Sequence, residues 1–378
     1  MKFIESKYLS VLVLSIALCC ILLSAPNKIL ALTNPVATDS DVPSTRIALE
    51  PHSVADQIKL AQGYFDGRGV QQDTKKAAYW YEKAAGAGDP FAQFEIGYLY
   101  ESGIGVDKNP ERATHWYQLA AASGLPMAEV NLAVAYLWGT GVPKDEASAF
   151  RLMSAAAAQG NGLAACYLGD FYAFGIATPQ DRSKAEKWYR KGANLHDPIA
   201  EFDLARMLMN AEGKQDLATA AKLLRDSAAA RYVPAMHELG LLLARNPALA
   251  VSAREAFELL NTAAEAGNWK SSVLLGVLER DGNGVPVDIE AAYYHFRVGA
   301  LKGGDEARRL TARDLELLSA QLGQGRTAAI DLKASDWYKQ RGVNLMFVRN
   351  DEKNPREFAV ISGGGEHVAV MMMSSPTL

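Results

Sequence analysis

The run Ala92-Gln-Phe-Glu-Ile96-Gly97-Tyr-Leu-Tyr100-Glu-Ser-Gly103-Ile-Gly105-Val106, continued by Ala113-Thr-His-Trp116-Tyr117-Gln-Leu-Ala120-Ala121-Ala-Ser-Gly124, decides the fold. Ala92, Ile96 and Tyr100 lie four residues apart and so occupy one stripe of a helix. Ala113, Trp116, Tyr117, Ala120 and Ala121 fall at offsets 0, 3, 4, 7 and 8, again a single helical face. Gly103-Ile104-Gly105 separates the two, and glycine permits the left-handed backbone that a tight helix-to-helix turn needs. The stretch reads as an antiparallel helical hairpin whose small residues let its helices approach closely. Its aromatic residues are expected to bury against something outside the hairpin.

That something is another copy of the same hairpin. Gly67-Arg68-Gly69-Val70, Gly103-Ile104-Gly105-Val106 and Gly139-Thr140-Gly141-Val142 follow one another at intervals of 36 residues. Aromatic pairs keep step as Trp80-Tyr81, Trp116-Tyr117 and Trp188-Tyr189. A fixed period of this length marks a solenoid, and seven copies run from about Ala55 to Gly304. The third replaces its aromatic pair by Leu152-Met153, and the fourth keeps only Gly175 of its turn. The fifth and sixth are degenerate, with turns Asn210-Ala211-Glu212-Gly213 and Ala244-Arg245-Asn246-Pro247 and pairs Leu223-Leu224 and Leu259-Leu260. The seventh returns to type with Gly282-Asn283-Gly284-Val285 and His295-Phe296.

The pattern Leu-Gly-x-x-Tyr-x-x-Gly-x-Gly-Val, then Asp, Lys-Ala, Trp-Tyr, Ala-Ala and Gly, resembles the Sel1-like repeat family, a relative of tetratricopeptide repeats. Lys76-Ala77-Ala-Tyr-Trp80-Tyr81-Glu-Lys-Ala84-Ala85 matches it almost completely. The resemblance implies an all-α, right-handed α/α solenoid of about seven 36-residue hairpins, and a module that binds proteins rather than a catalyst. In bacteria it implies work in envelope assembly, signalling or host contact.

Outside the repeats the character changes. Lys2 and Lys7 precede the uncharged apolar run Leu9–Ser24, so residues 1–31 read as a signal peptide or a membrane anchor through 9–24. Residues 32–54 are polar, proline-bearing and aperiodic, as a flexible linker is. Leu310, Leu315, Leu317 and Leu318 mark one helix after the array, and Ala328, Ile330, Leu332 and Trp337 suggest another, so 305–340 is expected to cap it. In the tail, 341–378, three short apolar runs at 343–348, 358–362 and 367–373 fit either a small strand meander or a loosely ordered segment.

Composition narrows the function. Net charge is −4 with both signs interspersed, which argues against a nucleic-acid footprint. Of three cysteines, Cys19 and Cys20 lie in the apolar leader, which leaves Cys166 alone in the folded part and no disulfide framework. Cys166 shares its repeat position with Phe94, Val130 and Phe202, and reads as a small buried hydrophobe. His237-Glu238 begins like a zinc helix, but Leu241 stands where the second histidine should be. The glycine turns lack the Gly-Lys-Ser/Thr that would cradle a phosphate. No metal, cofactor or catalytic set is expected. A β-lactam-binding or hydrolytic enzyme, raised by cysteine-rich relatives of the family, would need paired cysteines in each repeat, and these are missing.

The informative columns are those that do not repeat. Three first-helix positions spaced i, i+3 and i+6 share a face. They carry Glu95, Tyr98 and Glu101 in repeat two, Asn131 in repeat three, Tyr167 and Asp170 in repeat four, and Asp203 and Arg206 in repeat five. First helices of stacked hairpins line a concave surface, so these residues are expected to contact an extended protein partner. The columns that recur, Gly67, Gly69, Trp80, Tyr81, Gly103, Gly105, Trp116, Tyr117, Gly139, Gly141, Trp188, Tyr189, Gly282 and Gly284, are expected to be structural, with the tryptophans in the core.

Overall fold

The computed structural model describes residues 53–211, 216–252 and 254–342, and the strands 345–349, 357–361 and 369–373. The expected leader, nearly all of the linker and the turn at 212–215 lie outside the described residues. The chain forms two compact units that meet in sequence at residues 159 and 160.

The first unit holds three hairpins: α1 (Val54–Asp66) with α2 (Thr74–Gly86), α3 (Pro90–Ser102) with α4 (Pro110–Ala122), and α5 (Pro126–Trp138) with α6 (Glu146–Ala158). The second unit holds four: α7 (Gly162–Phe174) with α8 (Arg182–Asn194), α9 (Pro198–Met209) with α10 (Leu217–Ala229), α11 (Val233–Arg245) with α12 (Glu255–Glu265), and α13 (Trp269–Asp281) with α14 (Ile289–Lys302). It continues as α15 (Gly304–Leu322) and α16 (Gln324–Gly342), then β1 (Leu345–Arg349), β2 (Glu357–Ile361) and β3 (Ala369–Met373). The strands pair antiparallel in the order β1-β2-β3, with Phe347 opposite Ala359 and Ala359 opposite Met371. Sixteen α-helices among the described residues, stacked as hairpins, make this an α/α solenoid.

Most of the hairpins start and stop by the same local chemistry. Asp73, Asp89, Asn109, Asp145, Asn161, Asp181, Asp197 and Asp288 each turn a side-chain oxygen onto a first-turn amide of the following helix. Proline at the first helical position of α3, α4, α5 and α9 fixes φ where no donor is lost. The first helices α1, α3, α5, α7 and α13 end on left-handed glycines such as Gly103, at φ 74°, whereas α9 and α11 end on Asn210 and Asn246 at negative φ. The caps of α2, α4, α6, α8 and α14 are also clipped to their partner helices. The Asn109 amide donates to the Tyr100 carbonyl at 2.8 Å, and Asp145 to Tyr136 and Asp181 to Tyr172 repeat the bond at 2.9 and 2.8 Å. This bond holds the turn at one length, so the period reads clearly in the sequence.

The second turn glycine has a separate reason. Gly105, at φ 72°, lies so close to the α2 N-terminus that a Cβ there would overlap the Thr74 carbonyl. Gly141 repeats this against Pro110, where the Thr114 hydroxyl also donates to the Gly141 carbonyl at 3.2 Å. The turn of one hairpin is thus seated on the preceding second helix.

The aromatic pair divides its labour, which differs from the expectation. Tyr81, Tyr117 and Tyr189 are buried, at 3, 1 and 4% exposure, whereas Trp80, Trp116 and Trp188 keep partial exposure. Lys83 and Lys191 lie 4.8 Å from the ring centroids of Trp80 and Trp188, a cation–π position at the surface. The buried tyrosine, moreover, packs inside its own hairpin rather than only beyond it. A Cβ added at Gly97 would stand 2.8 Å from the Tyr117 ring, and one at Gly169 would overlap the ring of Tyr189. The small residue after the helix leucine is therefore the socket for the ring.

Replacing Gly105 by Ala tests the seating of one turn on the neighbouring helix. At Gly69, also left-handed at φ 74°, an added Cβ would meet nothing within 4 Å, so Gly69→Ala carries the backbone cost alone. We expect Gly105→Ala to lose about 1–3 kcal/mol more than Gly69→Ala in urea unfolding. Equal losses would contradict the close approach.

Candidate functional site

The non-recurring stripe splits into residues that keep surface and residues that do not. In the first unit, Glu95, Tyr98 and Glu101 are half-buried on α3, whereas Asn131 on α5 is 3% exposed. The Tyr117 hydroxyl donates to Glu101 Oε2 at 2.7 Å and shares a hydrogen bond with Asn131, so the core ring and the stripe are joined. Burial lifts the Glu101 carboxyl to about 7, against the pull of Tyr117 and Lys108. Burial also lifts Glu95 to about 7, and Asp66 on the preceding first helix adds repulsion. Gln159 donates to Glu129 at 3.0 Å on the neighbouring row of α5, where burial raises that carboxyl too.

In the second unit the stripe lies deeper. Tyr167, Asp170 and Asp203 are 1, 3 and 4% exposed, and only Arg206 among the expected contacts there keeps partial exposure, its guanidinium 5.5 Å from the Phe202 ring centroid. The Tyr189 hydroxyl donates to Asp170 Oδ1 at 2.5 Å, and the Cys166 thiol donates to Asp203 Oδ2 at 3.4 Å. Cys166, Asp170 and Asp203 thereby form a cluster whose candidate ligand atoms all lie within 4.8 Å of one another. Tyr167, Tyr189 and Tyr232 surround it. Burial first, and the acidic neighbours second, push their phenols well above 10. Asp197 at the α9 N-terminus is lifted to about 6 by burial, with Asp203 adding to it. Glu201, one turn on, is lifted to about 7 by burial and then by Asp226 and Asp197.

The sequence reads Cys166 as a small hydrophobe, and its 2% exposure fits that, but its sulfur meets a carboxylate. The signal that could have found the pair is the repeat itself. Asp203 lies 37 residues on from Cys166, one period plus one position, which is where stacking brings first helices side by side. The scattered histidines go to separate places. His115 is exposed, His237 Nδ1 lies 2.9 Å from Ser271 Oγ with its pKa lowered to about 4 by burial, and His295 Nδ1 lies 2.7 Å from Glu279 Oε2.

The Sel1 repeat family model matches seven times, at residues 55–89, 90–125, 126–161, 162–197, 198–232, 233–268 and 270–304. The chain belongs to the Sel1 repeat family, whose members typically serve protein–protein interaction. A Sel1 repeat protein from Oxalobacter formigenes is similar at 32% identity and a TM-score of 0.53, over 57% of this chain and 88% of that one. A protective antigen present in uropathogenic Escherichia coli strains, with an SLR fold, is similar at 25% identity and a TM-score of 0.45, over 76% of this chain and 69% of that one. No curated protein matches the chain.

The raised carboxyl of Glu101 fixes a pH dependence. Its folded value of about 7 exceeds the ordinary 4.5, so the folded state holds a proton that the unfolded chain has released between those limits. The stability this contributes is complete below about 4.5 and is lost as pH rises through about 7. Thermal melts of Glu101→Gln are expected to fall less than the parent between pH 5 and 8, by an amount on the order of 2 kcal/mol. Parallel curves would show that Glu101 titrates normally.

Proposed function

We propose that the chain is a non-enzymatic scaffold or adaptor that acts in the cell envelope or outside the cell, and binds another protein along its first helices. The observation that carries this reading is the contrast between columns. Positions that recur from hairpin to hairpin are spent on packing, as Tyr117 on Gly97 shows, while the stripe beside them differs in every hairpin. Glu95, Tyr98, Glu101 and Arg206 present part of their surface on that stripe, and Asn131, Tyr167, Asp170 and Asp203 support it from beneath. Mixed acidic, aromatic and basic groups that change along a stack suit an extended, sequence-specific partner.

Export rests on Lys2, Lys7 and the run Leu9–Ser24. The same run supports a second reading, a membrane-tethered regulatory subunit of an envelope complex. No helix of the described residues is long and apolar enough to cross a membrane, and residues 9–24 lie outside them. N-terminal sequencing of the mature protein separates the two. A start near Thr33 fits release, and an intact Met1 fits the tether.

The interaction is tested by cross-linking capture from the native envelope fraction with the full chain as bait. One arm carries Glu95→Lys with Tyr98→Ala, and another carries Arg206→Glu, each checked for helicity by circular dichroism. We expect a specific partner to be held at least about tenfold less by one altered bait, as loss of an interface anchor does. Equal capture by all three baits would remove the partner from this face.

A further inference from the structure

Charge is divided between the two helices of a hairpin. In the first unit, α1, α3 and α5 carry Asp56, Asp66, Glu95, Glu101 and Glu129 against a single cation, Lys59. Their partners α2, α4 and α6 carry five cations against three acids. The second unit begins with the same division, since α7 and α9 hold three acids and one cation, and α8 and α10 hold two acids and seven cations. It ends there, for α11 and α13 are each balanced. Packing does not demand such sorting, because cations such as Lys75 and Lys76 are exposed. One sign repeated along stacked helices sets up a field that draws a partner of the opposite sign.

Glu95 is where that face is least satisfied. It is half-buried on α3, and it makes no hydrogen bond or ion pair among the described residues. The charged group that bears on it is Asp66 of α1, which repels it. The acids around it are better placed. Asp66 meets Arg68 at 3.3 Å, and Glu101 accepts from the Tyr117 hydroxyl with Lys108 in its field. A carboxylate drawn out of water is ordinarily paired, so the counter-charge missing at Glu95 is one that a ligand can bring. Tyr98 and Phe65, half-buried on the same stripe, offer rings of the kind that receive a cation. The division of charge runs through successive hairpins, which suits an extended chain better than a small cation.

We propose that the partner bound along the first helices presents a lysine- or arginine-bearing extended segment, whose cation pairs with Glu95 between the rings of Tyr98 and Phe65. This rests on the scaffold reading and names the chemistry of its partner. Glu101 and Asp66 add to the attraction, and the basic second helices repel the same segment from the opposite side of each hairpin.

A library of random twelve-residue peptides displayed on phage, panned against the full chain, tests the charge class without knowledge of the partner. Recovered peptides are expected to be enriched in lysine and arginine. A synthetic peptide of the commonest sequence is expected to bind Glu95→Gln at least about tenfold more weakly than the parent. Glu111→Gln, which removes the same charge from the exposed face of α4, should leave its affinity unchanged. Peptides without a basic residue, or basic peptides that bind Glu95→Gln as well as the parent, overturn the proposal. So does an equal loss with Glu111→Gln, which would mark attraction to net charge alone. The Tyr98→Ala variant, checked for helicity by circular dichroism, separates this failure from that of the scaffold reading. Non-basic peptides that need Tyr98 overturn the charge class and leave the interaction face standing. Peptides indifferent to both Glu95→Gln and Tyr98→Ala, or no enrichment at all, count against both. Where Tyr98→Ala fails to fold, Glu95→Gln decides.

Discussion

The ring of Tyr189 lies where Gly169 has no Cβ, and other hairpins repeat that contact with their own residues. Tyr117 rests on Gly97, Leu260 on Gly240 and Phe296 on Gly276. The contact sets how far apart the two helices of a hairpin stand, because a larger residue on the first helix would push the ring out. The rest follows from that spacing. Once the ring is seated, the capping Asp or Asn of the second helix reaches the carbonyl four residues after the first-helix leucine, and the glycine turn closes over both. The turn then has the shape that seats on the previous second helix, as Gly105 does on Thr74. Stacking is therefore a consequence of packing within each hairpin.

The same geometry explains why so much polarity is buried. A stripe drawn on one helix as solvent-facing is covered when similar helices flank it, and side chains there must find partners within the stack. They find the hydroxyls of the core tyrosines, so Tyr117 bonds Glu101 and Tyr189 bonds Asp170. Carboxyls lifted toward neutrality at Glu95, Glu101 and Glu201 are the consequence of placing acids in that stripe. Polar residues in these columns position the surface above them as well as meeting a partner.

Much of the fold was legible because the repeated residues are the packing residues. Period, turn glycines and small-residue columns all show in one chain without comparison to others. Two things were not legible, for the same physical cause. Exposure of the stripe depends on neighbours in the stack, so Asn131, Tyr167, Asp170 and Asp203 read as surface on a single helix and prove to be interior. Which member of Trp-Tyr is buried depends on the angle at which the second helix meets its socket, and spacing alone places both on one face. The pairing of Cys166 with Asp203 needed the lateral register between repeats, which follows from the period only once stacking is known.

Native-state hydrogen exchange measures the ring-and-socket claim most directly. Hairpins that keep an aromatic ring on a glycine and a left-handed glycine at the turn, at 90–125, 162–197 and 270–304, are expected to exchange slowest. Those at 198–232 and 233–268, with leucine in place of the ring and Asn210 and Asn246 in place of the left-handed glycine, are expected to open first. Uniform protection across these hairpins would contradict the account, since stability would then not follow the contact that sets the spacing.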